Sequence, residues 1–190
     1  MEITPSMKTP LSQTNAKSQK SRIFLLLSFG IPMLFLAAGF VLQNVHPFGD
    51  QQILVVDFWH QYYPFLRLLH EKLQHGGSLL YTWDSGLGSN FVSIFAYYAA
   101  SPLNLLLLIF PESLLPEGIL VITLIKNALT AALFAACVQY IYRVRNAAVA
   151  AAAVMYGMMM YVLAYSWNVM WLDGVMMLPL VVLGFERLMR

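Results

Sequence analysis

Apolar positions in this chain come in long runs. They show neither the alternation that marks half-buried strands nor the single stripe of a surface helix. Residues 23–42 carry no charge over 20 positions. At helical rise they cover roughly 30 Å, the thickness of the bilayer hydrocarbon core. Further apolar runs occupy 118–142, 147–165 and 174–187, the last of them short. Residues 90–110 are uncharged for 21 positions, but Ser101-Pro102 and Asn104 interrupt them. The pattern predicts an all-α membrane protein with about four transmembrane helices and excludes a water-soluble domain.

Between the first two runs lies a mixed segment, 43–117, which holds most of the carboxylates. Within it, 64–75 reads as a short amphipathic helix lying on the membrane surface. Phe65, Leu66, Leu69 and Leu73 share one face; Arg67, His70, Glu71 and Gln74 lie largely off it. Pro64 suits a first helical position and Gly76-Gly77 a stop. Residues 81–90 are rich in turn formers.

Charge sets the expected topology. Lys8, Lys17, Lys20 and Arg22 precede the first span; Arg143 and Arg145 follow the second; Arg187 and Arg190 end the fourth. If 90–110 does not cross, all three clusters fall on the cytoplasmic side, as the positive-inside rule favours. Residues 90–110 are therefore read as interfacial or re-entrant. The N-terminus is cytoplasmic and 43–117 forms an extracellular loop that receives Asp50, Asp57 and Asp84, with Asp173 on the same side. Residues 1–22 are polar and read as a disordered cytoplasmic tail, and 23–190 as one transmembrane module. The run at 23–42 is too long for a signal-peptide core and no small-residue cleavage site follows it.

Composition agrees: 59% of the 190 residues are apolar and 11% charged, against about 25% charged in soluble domains. A net charge of +2 is too small to point to nucleic acid. The single cysteine, Cys137, has no partner for a disulfide and reads as a small packing group. Met155, Met158, Met159 and Met160 read as lipid- or helix-packing residues rather than a copper site. His70-Glu71 with His75 is HExxxH, whose histidines lie off a common face, so it is not a zinc motif. Gly86 and Gly88 sit in GLGSNF, which lacks a third glycine and a preceding strand. His46 and His60 have no evident partners.

Three ionisable residues stand out. Asp57 lies in VVDFWHQYYPF among Phe58, Trp59, Tyr62 and Tyr63. A carboxylate partly stripped of water there suits general-base work. The competing reading is a turn cap beside an interfacial aromatic belt. Asp173 lies in SWNVMWLDGVMMLP, near Trp167 and Trp171. It is either a helix-start carboxylate favourable to the dipole or a second site acid. Lys126 sits about 8 residues into the second span, roughly 12 Å deep. It either snorkels outward, pairs with a carboxylate, or holds a lipid phosphate.

DFWHQYYPFLRLL from Asp57, WDSGLGSNF from Trp83 and YYAASPLNLLLLIFP from Tyr97 resemble stretches of the bacterial YfhO family of membrane proteins. LIKNAL around Lys126 and WNVMWLDGVMMLPLVVLGFERL from Trp167 continue the likeness, in the family's order. That family resembles the GT-C glycosyltransferases, which take a sugar from a polyprenyl-phosphate carrier at the outer membrane face. It is linked to sugar decoration of lipoteichoic acid and related envelope polymers.

The resemblance implies a bacterial cell-membrane enzyme. Asp57 takes the role of the catalytic acid of the first outer loop, and Asp173 that of the second acid, between the third and fourth spans. Within the resembling stretches His60, Gln61, Tyr62, Trp83, Asp84 and Trp171 are candidate substrate contacts. Lys126 joins them as a phosphate contact that the resemblance itself does not supply. The partners implied are the bilayer, the lipid-linked sugar donor and an envelope-polymer acceptor. Family members are several times longer, so this chain is expected to be the N-terminal portion. The rival reading is non-enzymatic: a carrier-binding or assembly subunit, or a transporter component.

Overall fold

A computed structural model describes residues 10–190, with side chains from residue 19 onward. Among the described residues four helices are long and apolar enough to cross a membrane: Gln19–Leu42, Glu112–Tyr142, Ala147–Ala164 and Val169–Leu188. The elements are α1 (Pro10–Leu42), α2 (Tyr63–His75), α3 (Phe91–Ile94), α4 (Leu115–Tyr142), α5 (Ala147–Gly157), α6 (Met160–Ala164) and α7 (Val169–Leu188). One two-residue hairpin, β1 (Tyr81–Thr82) and β2 (Ser89–Asn90), completes them.

Residues 10–22, expected to be a disordered tail, are helical, while residues 1–9 lie outside the described residues. Extending an existing helix fixes one residue per hydrogen bond. The apolar span therefore carries its helix back through good helix formers such as Gln19 and Lys20.

α4 is the central helix and packs against α1, α5 and α7. Its small residues permit this. Ala131 and Ala135 meet Val149 and Ala153 of α5 in a tight seam. At Gly157 a Cβ would stand 2.8 Å from the Ala131 Cβ, so the backbones approach as only a glycine allows. The α4–α5 turn is closed by Arg143 in a left-handed conformation (φ 59°) and by Asn146, whose side chain accepts from the Val149 N–H. α7 begins at Val169, earlier than the expected 174, which places Asp173 inside the helix.

The 43–111 segment packs onto one end of the bundle. A π-helical turn, Phe58–Tyr62, leads into α2. α3 continues as a π-helical turn, Phe95–Ala99, and then breaks into a 3-10 helix, Pro102–Ile109. The two apolar halves meet at 96°. Pro102 explains the break, since proline disfavours helical backbone in the residue before it. Phe58, Leu66, Leu69, Phe91, Leu107, Ile119 and Val169 form one core that joins the loop to α4 and α7.

α2 carries a wider buried face than its sequence pattern implied. Leu68 and His70 are buried, whereas Leu73 is exposed. His70 was expected off the apolar face, but its ring Nε2 lies 2.9 Å from the Phe110 carbonyl oxygen. A buried imidazole is tolerated because that hydrogen bond satisfies it. His46, with no partner visible in the sequence, lies 2.7 Å from Glu117 at the start of α4.

Candidate functional site

The loop end of the bundle gathers polar groups from four separate segments. Lys126 of α4 is wholly buried. Its ammonium donates to the Asp173 Oδ2 and to the Val169 carbonyl, each at 2.9 Å. A bare lysine charge in a bilayer is costly, and these two acceptors on α7 are what make it tenable. The other Asp173 oxygen accepts from Ser101 Oγ at 3.0 Å. Ser101 sits at the 96° bend, so this chain of contacts ties the bent segment to α4 and α7.

Asp173 keeps 25% of its side chain exposed. It faces a cavity of about 280 Å³ lined also by Tyr97, Tyr98, Ser101, Met170 and Met177. Tyr98 donates to Gln61 at 3.2 Å. Its ring lies 5.6 Å from that of Tyr62. Tyr62 stacks on Trp167, at 6.3 Å, and donates to Asn168 Oδ1 at 2.6 Å. Burial, and after it the nearby Asp57 carboxylate, raise Tyr62 above the usual phenol range, so its hydroxyl stays a donor.

Asp57 lies near both Tyr62 and Tyr98, whose hydroxyls feel its charge. It is partly buried and opens the π-helical turn. No hydrogen bond or ion pair joins the two acids among the described residues. Both belong to the same end of the bundle, connected through Tyr62 and Tyr98.

The other expected residues divide. Gln61 and Tyr62 belong to this polar network. His60 is exposed beside them. Trp83 is 75% exposed and packs edge-on against Tyr81. Asp84 accepts from Thr82 and lines a second cavity, of about 320 Å³, with Tyr63, Arg67 and Glu71. Trp171 is exposed on α7. Asp84 thus borders a different hollow from the one Asp173 faces. Lys126 takes the carboxylate partner, one of the three outcomes its sequence position left open.

Ser101, Tyr98 and Asn168 were not singled out by the sequence. Ser101 was visible there only as a polar break in an uncharged run. Asn168 gave no signal beyond its place between two tryptophans.

The basic clusters collect at the opposite end. Ser21, between Lys20 and Arg22, donates to Gln139 near the end of α4. Arg143 and Arg187 both lie against Tyr140.

A family model described as bacterial membrane protein YfhO matches residues 28–190. No curated protein matches the chain. No solved structure matches it either.

Proposed function

The chain belongs to the YfhO family of bacterial membrane proteins, and from that membership we propose that it serves in a membrane glycosyltransferase. The donor is a sugar on a polyprenyl-phosphate carrier, and the acceptor is an envelope polymer such as lipoteichoic acid. The end of the bundle that holds Lys20, Arg22, Arg143 and Arg187 faces the cytoplasm. The acid and tyrosine end faces outward, where the carrier presents its sugar.

The observation that carries this reading is the cavity at Asp173, lined by Tyr98, with Asp57 near that tyrosine and Tyr62. It provides carboxylates, phenol donors and aromatic walls at one membrane boundary. In the proposed step Asp57 accepts the proton of an acceptor hydroxyl. That oxygen attacks the anomeric carbon, the bond from this carbon to the carrier phosphate oxygen breaks, and the phosphate leaves with inversion. Asp173 orients a hydroxyl with the lone pairs that Ser101 and Lys126 leave open, since each carboxylate oxygen accepts more than one hydrogen bond. Lys126 holds Asp173 in place. It meets the carrier phosphate only where that phosphate displaces the Asp173 carboxylate. Tyr62, Gln61 and His60 line the approach, and Trp83, Asp84 and Trp171 offer sugar-facing or lipid-facing contacts at its edges.

Sugar transfer in membranes tests this, with a polyprenyl-phosphate sugar donor and the longest reading frame that contains this chain. Asp57→Asn is expected to lower the rate by about 10²–10⁴, the usual worth of a general base. Undiminished transfer overturns the role of Asp57.

One observation favours a non-enzymatic second reading: the Lys126–Asp173 pair neutralises itself and needs no substrate. A carrier-binding or assembly subunit would keep carrier binding in Asp57→Asn and would transfer nothing in either form.

A further inference from the structure

At the end of the bundle remote from the acid and tyrosine cavity, α4 and α7 finish side by side. The guanidinium carbons of Arg143, Arg187 and Arg190 lie 5.0, 4.8 and 6.0 Å from the centroid of one ring, Tyr140. All three arginines are exposed. Glu186 is the carboxylate at hand, and it is spent on Arg190 at 2.8 Å. Among the described residues no ion pair involves Arg143 or Arg187.

Helix dipoles account for part of this. The C-terminal ends of α4 and α7 each present roughly half a negative charge. With Glu186 that makes about two negatives against Arg143, Arg145, Arg187 and Arg190, so roughly two positives remain uncompensated. Sharing one ring, Arg143 and Arg187 lie within about 10 Å of each other and repel. Contact with a ring face also leaves the guanidinium N–H donors unspent.

A second feature adjoins the arginines. An apolar cavity of about 270 Å³ opens between Phe134, Val138 and Ile141 of α4 and Leu178 and Val182 of α7. Tyr142 also lines it, and Tyr142, Val181 and Phe185 are exposed apolar side chains of these two helix ends. An arginine cluster and an apolar cavity therefore share the α4–α7 junction.

We propose that this junction is an anionic phospholipid site, with the lipid phosphate between Arg143 and Arg187 and one acyl chain in the α4–α7 cavity. The charge excess selects an anion, and the adjoining apolar slot selects a lipid over free phosphate. Basic pockets between transmembrane helices recognise lipid headgroups in this way. The inference stands apart from the transferase reading and survives its failure.

The test is titration of the purified protein in detergent with phosphatidylglycerol, phosphatidylcholine and inorganic phosphate, with bound ligand counted by native mass spectrometry. Each arginine near a headgroup contributes about fivefold, so phosphatidylglycerol is expected to bind about 30-fold more tightly than phosphatidylcholine. R143Q/R187Q should abolish that preference, and K20Q, outside the ring cluster, should keep it. V182W, which fills the slot, should weaken phosphatidylglycerol binding and leave any inorganic phosphate binding unchanged.

Equal binding of the two lipids by the native protein overturns the proposal without recourse to any variant. So does a preference that persists in R143Q/R187Q. Inorganic phosphate binding as tightly as phosphatidylglycerol, or no effect of V182W, also overturns it and leaves a plain anion site.

Discussion

At the scale of single residues, the Lys126–Asp173 pair is asymmetric. The lysine has no exposure, whereas a quarter of the Asp173 side chain reaches solvent or the cavity. Removing the acid strands an ammonium on the Val169 carbonyl alone. Removing the lysine leaves a carboxylate that still has Ser101 and partial solvation. Asp173→Ala is therefore expected to cost about 3–5 kcal/mol, the range for orphaning a buried charge, and Lys126→Met clearly less. The double variant should be more stable than Asp173→Ala. Thermal unfolding in detergent measures all three. Equal losses for the two single variants would mean that water already reaches Lys126.

The sequence marked Lys126 and Asp173 separately, one for its depth and one for its neighbours. It did not pair them, because 47 positions separate them and only the packing of α4 on α7 closes that gap. The same holds for Tyr62 and Asn168, which lie 106 positions apart.

At the scale of elements, the spans were legible because hydrophobic length is a local property. The bend at Ser101-Pro102 was legible for the same reason: a proline acts on its immediate neighbours. The burial of His70 was not, since the amphipathic pattern of α2 omits what packs over its second side. Likewise the helical stretch at 10–22 depends on the span that it extends rather than on its own composition.

Helix contact also yields a sharp expectation at Gly157. A methyl group there would stand 2.8 Å from that of Ala131. Gly157→Ala should lower stability by about 1–3 kcal/mol, the usual cost of overpacking. Adding Ala131→Gly should recover part of the loss. A Gly157→Ala variant as stable as the native protein would mean that α4 and α5 separate freely.

At the scale of the whole molecule, the arrangement has two chemically different ends. One carries Lys20, Arg22, Arg143, Arg145, Arg187 and Arg190; the other carries most of the carboxylates, the Tyr62 and Tyr98 pair and the bent segment. The orientation proposed above puts the positive end on the cytoplasmic side. In a Cys137→Ser background, Asp84→Cys should react with a membrane-impermeant maleimide in intact cells. Arg145→Cys should react only after lysis. The reverse pattern would invert the topology and move the proposed sugar site to the cytoplasmic face.

Membrane residence, the number of long apolar helices and the segregation of charge follow from the sequence by itself. Each depends on runs of neighbouring residues and on the cost of placing polar groups in hydrocarbon. The tertiary structure alone decided which polar groups meet. It gave Lys126 a carboxylate, joined His46 to Glu117 and brought Tyr62 onto Trp167 and Asn168. It also brought the ends of α4 and α7 around a single ring. Such meetings depend on how helices approach one another, which is set by packing over the whole bundle and is written in no local stretch of chain.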